Sequence, residues 1–249
     1  KPCSSTSTRS RTRSLLGESP MKTNAPSPPT TVFVTHHLAE VPRTATHALV
    51  LTHGRGGSAE GMLPIARAAK ATGAALRKKL ARESSIAVSM SGDGSTGCGP
   101  VFEAMNFAAM AQYDTLWTDE KKGGLPVLFF FSNNFYAMGG QTIGETMGWD
   151  RLSRIGAAIN ASAMHAETVD GTNPLAVADA VTRKRALLLE GRGPALLDVE
   201  CYRFGGHSTT DANAYRTREE IAAWDRHDAI ASYAARLINE GILDQASVD

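Results

Sequence analysis

Ile86-Ala87-Val88-Ser89-Met90-Ser91-Gly92-Asp93-Gly94 is an apolar, β-prone run that stops abruptly at Gly-Asp-Gly. Ser95-Thr96-Gly97-Cys98-Gly99-Pro100 then leads into a helical pattern, with Pro100 suited to a first helical position. A strand, a tight turn carrying one carboxylate and a helix N-terminus follow in that order. Parallel α/β proteins bind ligands outside the carboxyl ends of their strands, and helix N-termini attract phosphate through unpaired N–H groups. Glycine lets the backbone approach a ligand closely, and one aspartate can hold a hard cation. A second β-prone run, Pro126-Val127-Leu128-Phe129-Phe130-Phe131, ends in Ser132-Asn133-Asn134-Phe135-Tyr136. Two neighbouring strand ends, one offering Asp93 and the other Asn134, could grip a single magnesium diphosphate. Gly-Asp-Gly also makes ordinary turns, so the weight rests on its pairing with Asn-Asn.

Outward from these turns, the chain alternates helical and strand patterns. Residues 63–80 form an alanine-rich helix with Lys and Arg on its outer face. Phe102, Met105, Ala109, Tyr113 and Leu116 recur at three- and four-residue steps and predict one long helix, followed by a charged loop at Asp119-Glu120-Lys121-Lys122. Residues 149–161 read as a helix starting near Asp150, and 164–169 as a strand closed by Asp170-Gly171. Residues 174–190 read as a helix begun by Asn173, and 194–199 as a strand. A polar loop over 203–216 leads to Thr217, which with Glu220 makes a capping box, and a last helix runs from Asp228 to Glu240-Gly241. This order indicates an α/β fold: a doubly wound parallel sheet with helices on both faces.

The totals narrow the function classes. At 249 residues, 42% of them hydrophobic, there is ample material for a core. A net charge of +1 gives no electrostatic case for nucleic acid or an anionic membrane, so neither is an expected partner. The apolar run over 125–131 is far too short to span a bilayer. Cys3, Cys98 and Cys201 are scattered and odd in number; they suggest neither a disulfide framework nor a zinc site, and a reducing compartment fits best.

Residues 1–30 are rich in Ser, Thr, Pro and Arg, and disorder is their expected state. No acidic residue precedes Glu18, and Arg9, Arg11 and Arg13 alternate with Ser and Thr, a composition shared by organellar transit peptides and by plain unstructured extensions. The chain starts with Lys, as a fragment or a processed form would. Residues 31–249 are expected to form one α/β domain, its N-terminal part truncated or diverged. His53-Gly54-Arg55-Gly56-Gly57 fits neither a dinucleotide fingerprint nor a P-loop and reads as a surface loop. His37, His47 and His53 fall outside metal-ligand spacing.

With Gly92-Asp93-Gly94 followed by Asn133-Asn134, the chain resembles the thiamine diphosphate enzymes. It is most similar to the alpha subunit of the decarboxylating component of 2-oxoacid dehydrogenases (pyruvate, branched-chain or acetoin type). Further stretches that carry the resemblance are Phe102-Glu103-Ala104-Met105-Asn106-Phe107-Ala108-Ala109, Tyr202-Arg203-Phe204-Gly205-Gly206-His207-Ser208 and Tyr215-Arg216-Thr217-Arg218-Glu219-Glu220-Ile221. Together they cover the chain from about Ser84 onward.

The resemblance implies thiamine diphosphate and Mg2+ as cofactors. Asp93, the Asn134 amide oxygen and the Tyr136 carbonyl are the implied metal ligands, with the backbone of Gly92, Gly94 and Ser95 at the diphosphate. It implies His207 beside the reactive carbon of the cofactor, as a cofactor-binding and catalytic residue. Ser208 matches a position phosphorylated in mitochondrial pyruvate dehydrogenases, and Arg203 or Arg216 is expected to pair with Asp211.

The implied partners are a beta subunit that supplies the activating glutamate, giving a heterotetramer, a lipoyl-bearing acyltransferase, and a 2-oxo acid substrate. A cytoplasmic location is expected, with the mitochondrial matrix as the alternative.

There are departures. Asp93 and Asn134 are 41 residues apart, longer than the family interval by about three helical turns, with the extra material between Gln112 and Gly124. The family carries more chain before Gly-Asp-Gly, including an aromatic-Arg pair at the diphosphate that has no counterpart in 31–80. Its His-Gly-His is here Gly205-Gly206-His207. Two other readings stay open: another thiamine enzyme (transketolase-like or acetolactate-synthase-like), and a truncated, non-catalytic scaffold.

Overall fold

The computed structural model describes residues 63–248, with side chains from residue 67, together with the backbone of two short strands, β1 (Val32–Thr35) and β2 (His47–Val50), which pair in parallel. The Ser/Arg-rich residues 1–30 and the glycine-rich loop over 53–61 lie outside the described residues.

The architecture matches the α/β expectation. β3 (Ala87–Gly92), β4 (Val127–Asn133), β5 (His165–Asp170) and β6 (Ala195–Glu200) form a four-stranded, all-parallel sheet in the order β3-β4-β6-β5. β4 and β6 occupy the centre and are apolar almost throughout, as strands covered on both faces must be. Side chains alternate between the faces. Val127, Phe129, Phe131 and Leu196 join one buried cluster with α1 (Leu63–Ala81), α2 (Gly99–Ala108) and α4 (Arg154–Asn160). Leu128, Leu197 and Val199 join the other, beneath α5 (Pro174–Leu189). The chain steps from β3 to β4 and on to β5 across the first face. It returns from β5 to β6 across the second, so every crossover keeps one hand.

Small residues make the first face thin. Ala68, Thr72 and Ala75 recur one turn apart on α1 and are buried against α2 and β3. Gly156 plays the same part in α4: a Cβ there would lie 2.4 Å from the Ala166 Cβ on β5. α5 begins as the sequence indicates, with the Asn173 side chain accepting from the N–H groups of Leu175 and Ala176, each at about 3.1–3.2 Å.

Three expectations are corrected. The apolar stripe does not continue as one helix: α2 ends at Ala108, the short α3 (Gln112–Thr115) follows, and a single turn covers Asp119–Lys121. Met105, Ala109 and Tyr113 are buried as anticipated, but the break rotates Leu116 outward, leaving it 79% exposed. α4 starts at Arg154 rather than near Asp150, and the N–H of its preceding residue, Ser153, donates to the Asp198 carboxylate at 3.2 Å. The capping box forms only by half. Thr217 accepts from the Glu220 N–H at 3.1 Å at the start of α6 (Arg218–Asp225), but the Glu220 carboxylate accepts from two tyrosine hydroxyls instead. The final helix, α7 (Ala229–Asn239), is capped by Asp228 as expected.

Candidate functional site

Parallel pairing sets the strand ends level: Gly92 lies beside Ser132, and Asn133 and Asp170 both lie beside Glu200. The turns that leave β3 and β4 therefore emerge next to each other. Asp93 is the first residue of a single helical turn, Asp93–Gly97, and is only 1% exposed. Its Oδ2 accepts from the Thr142 hydroxyl at 2.7 Å, and its Oδ1 is 3.4 Å from the Asn134 N–H. The structure thus brings together the two residues that sequence placed 41 positions apart. Burial pushes the Asp93 carboxyl above the usual aspartate range. The Thr142 hydroxyl and the main-chain N–H groups of Asn134, Asp93 and Gly94 offset this in part, and no cation among the described residues contributes.

The second turn is tightly folded. Asn133, 1% exposed, donates from Nδ2 to Asp198 Oδ1 at 2.9 Å and accepts from the Phe135 N–H at 3.1 Å. Asn134 Oδ1 accepts from the Tyr136 N–H at 3.1 Å. Between them Phe135 sits at φ 65°, a conformation costly for a bulky side chain and held here by the hydrogen bonds on either side. The following loop folds back over the site: the Thr142 N–H donates to the Phe135 carbonyl at 2.9 Å. Gly94 makes room for it, since a Cβ there would stand 3.2 Å from the Ala137 Cβ. Sequence reasoning missed Thr142, which has no local signal and reaches Asp93 across 49 positions.

The loop after β6 supplies the remaining candidates. Arg203 donates from one guanidinium nitrogen to the Ala137 carbonyl at 3.1 Å, and the same nitrogen lies 3.3 Å from His207 Nδ1. His207 is thereby tied, through Arg203, to the loop that covers Gly94. Asp211 pairs with neither arginine, contrary to expectation. It accepts from the Tyr215 hydroxyl at 2.5 Å, the His207 N–H at 2.7 Å and the Asn213 N–H at 2.9 Å, and these bonds, the tyrosine's foremost, hold its carboxyl down at about 2. Arg203 makes no direct hydrogen bond to it, but contacts the Tyr215 hydroxyl at 2.7 Å and adds a smaller charge effect. Ser208 is exposed, with Thr210 as its hydroxyl partner.

Arg216, 8% exposed, ties the site together. It donates to the carbonyls of Arg203 and Gly205 and to Asn213 Oδ1, and its guanidinium lies 5.3 to 5.7 Å from the ring centres of Tyr136, Tyr202 and Tyr215. Tyr136 and Tyr202 both donate to Glu220 Oε1, at 2.6 and 2.9 Å. One cation thus joins the β4 turn, the β6 loop and α6. Arg216→Ala is expected to cost about 2–4 kcal/mol, from several lost hydrogen bonds and a desolvated cavity, and to expose residues 203–216 to protease. Urea unfolding and limited proteolysis read both effects.

The donor set suits a hard cation with phosphate. A buried carboxylate with no cationic partner among the described residues is a natural place for a divalent ion, and one carboxylate with amide and carbonyl oxygens leaves room for phosphate oxygens. The described residues hold no cluster of three or more His, Cys, Asp and Glu side chains, so a metal there would draw its remaining oxygens from amides, carbonyls, water or a ligand. The Ser95 hydroxyl is used within its own turn, donating to the Gly92 carbonyl at 2.6 Å. Burial first, then the charges of Asp93 and Asp198, push the Cys201 thiol up to about 11, away from the thiolate that a nucleophile needs. No helix among the described residues is long and apolar enough to cross a membrane.

Residues 59–249 match the protein family described as "Dehydrogenase E1 component". Among individual relatives, the pyruvate dehydrogenase E1 component subunit alpha of Zymomonas mobilis is 34% identical over 171 residues, covering 68% of this chain and 44% of the relative. The mitochondrial type I subunit alpha of Ascaris suum is 31% identical over 179 residues, 71% of this chain and 41% of the relative. The corresponding mitochondrial subunit of Chaetomium thermophilum is 34% identical over 178 residues, 71% of this chain and 39% of the relative. The chain thus matches about two fifths of the length of these curated relatives.

Proposed function

Because the chain belongs to the dehydrogenase E1 component family, we propose that it is the diphosphate-binding alpha chain of a thiamine diphosphate-dependent 2-oxoacid dehydrogenase. The observation that carries this reading is Asp93: a buried carboxylate without a cation among the described residues, within hydrogen-bonding reach of the turn that holds Asn134. In this reading Asp93 supplies a carboxylate oxygen, Asn134 its amide oxygen and Tyr136 its carbonyl to Mg2+. The backbone of Gly92, Gly94 and Ser95 lines the diphosphate. Residues 31–249 make up the cofactor-binding domain, and residues 1–30 are an extension outside it.

Bound thiamine diphosphate supplies the electron sink that lets a 2-oxo acid lose carbon dioxide. This chain's part is to anchor and orient. Asp93 and Asn134 fix the charged end of the cofactor, while Arg203 and Asp211 hold His207 where it exchanges a proton at its ring nitrogen. The activating glutamate for the aminopyrimidine ring is not among the residues assigned a role in this chain. A beta subunit is the proposed source of that glutamate, and a lipoyl-bearing acyltransferase the proposed acceptor of the acyl group. Ser208 stands on the exposed side of the loop, where added phosphate would set negative charge beside an anionic cofactor. Relatives named both as mitochondrial and as bacterial leave the matrix and the cytoplasm as proposed locations.

Calorimetry with Mg2+ and thiamine diphosphate, with and without a beta chain, tests the proposal. Magnesium-dependent heat is expected with the beta chain present. Its absence under both conditions would leave a non-catalytic scaffold as the reading.

A further inference from the structure

Asp198 is fully buried in the middle of β6, on the face covered by α4, and nothing in the proposed chemistry uses it. Its Oδ1 accepts from Asn133 Nδ2 at 2.9 Å, and its Oδ2 lies 3.2 Å from both the Ser153 N–H and the Thr168 hydroxyl. All three partners are neutral. A buried carboxylate held only by neutral donors is a costly element in a core, since hydrophobic residues of similar volume are often as stable or more so.

The geometry shows what it does. An ionised carboxylate only accepts hydrogen bonds, so it fixes which end of the Asn133 amide faces it. Nδ2 must point to Asp198, and Oδ1 must point the other way, where it accepts from the Phe135 N–H at 3.1 Å. Reversing the amide would set oxygen against oxygen at one end and two donors together at the other. Phe135 is the residue at φ 65° that separates Asn134 from Tyr136.

We propose that Asp198 is a positioning residue for the cation-binding turn, acting through the Asn133 amide to lock Phe135 and so aim Asn134 and Tyr136 at Asp93. The proposal rests on the metal reading of that turn. Its core, the relay from Asp198 to Phe135, stands on the hydrogen bonds alone. The buried charge then acts as an orientation device: it removes the rotational ambiguity of an asparagine one residue away from a ligand.

Exchanging the two side chains supplies the test. In full-length Asp198→Asn, the new amide cannot accept from Asn133 at one end and from Ser153 at the other. Amide hydrogen exchange at Phe135 should accelerate, and Mn2+ affinity, measured with thiamine diphosphate and any beta chain needed for binding, should fall about 10- to 100-fold, as for other groups that orient metal ligands. The double variant Asn133→Asp/Asp198→Asn restores every donor–acceptor pair, with the polarity of the 133–198 bond alone reversed. The amide introduced on β6 would donate to the carboxylate introduced at the end of β4, and that carboxylate would accept from the Phe135 N–H. Slow exchange at Phe135 and most of the affinity should return.

If Asp198→Asn changes neither exchange nor affinity, the proposal is overturned. If that single variant does not fold, the exchanged pair decides: folding with slow Phe135 exchange supports the relay, and fast exchange sinks it. Failure of the unmodified protein to bind Mn2+ would sink the metal reading instead, while the exchange arm still decides whether Asp198 holds Phe135.

Discussion

Asp93→Ala is expected to abolish magnesium-dependent binding of thiamine diphosphate, leaving no measurable heat where the unmodified protein gives a saturable isotherm. Magnesium is commonly held by one or two carboxylates plus phosphate oxygens, and Asp93 is the one carboxylate proposed for it here. Without it, the amide of Asn134 and the carbonyl of Tyr136 are neutral oxygens with little hold on a strongly hydrated ion. Asp93→Asn separates charge from shape, because an amide can still accept from the Thr142 hydroxyl. It too should lose metal-dependent binding, yet stay folded.

The stability of that variant carries a sign that can be worked out. Burial raises the Asp93 carboxyl above its ordinary value of 3.8. A carboxyl raised in the folded state favours folding most when protonated, below the unfolded value, and that advantage is lost as pH rises through the folded value. At neutral pH without metal the charge therefore weighs against folding, and Asp93→Asn should melt at or above the temperature of the unmodified chain. Adding Mg2+ and thiamine diphosphate should raise the melting temperature of the unmodified protein alone, since only there does a ligand bind the native state. Saturable magnesium-dependent binding by Asp93→Ala would overturn the anchoring scheme.

His207→Ala should instead leave cofactor binding nearly unchanged and lower acyl transfer to lipoamide about 10²- to 10⁴-fold, the usual range for a lost proton-transfer group. Arg203 holds the ring: one guanidinium nitrogen lies 3.3 Å from His207 Nδ1, so that edge is occupied and the Nε2 edge is the one left to face a substrate. His207→Gln distinguishes chemistry from scaffolding, because its side-chain oxygen can still accept from Arg203. If the Gln variant transfers acyl groups as slowly as the Ala variant while both bind cofactor normally, the imidazole acts chemically. Turnover at the original rate in either variant would remove His207 from the mechanism.

The sheet and the joined strand ends were legible in sequence for a local reason. Gly92-Asp93-Gly94 and Asn133-Asn134 each punctuate a β-prone run, and Asn173, Thr217 and Asp228 each announce a helix start with a side-chain oxygen. What stayed hidden is what the fold brings together from afar. Thr142 looks like any loop threonine until Asp93 is packed against it, and Asp198 reads as one polar interruption in an apolar strand until Asn133, Ser153 and Thr168 converge on it. Leu116 and Glu220 failed in the opposite direction. Both fit a local pattern, an apolar stripe and a capping box, that tertiary contacts overrode. The Arg216 cage was unreadable because its rings come from three separate places in the chain.

The bond from the Tyr136 N–H back to the Asn134 side chain means that the proposed socket is already cast in the chain without its occupant. An incoming ion has almost no chain to freeze, so little of its binding energy is spent on ordering the protein. Capture should then be limited by how fast the ion sheds its own water, a slow step for magnesium and a quicker one for larger divalent ions, rather than by any rearrangement of the turn that receives it.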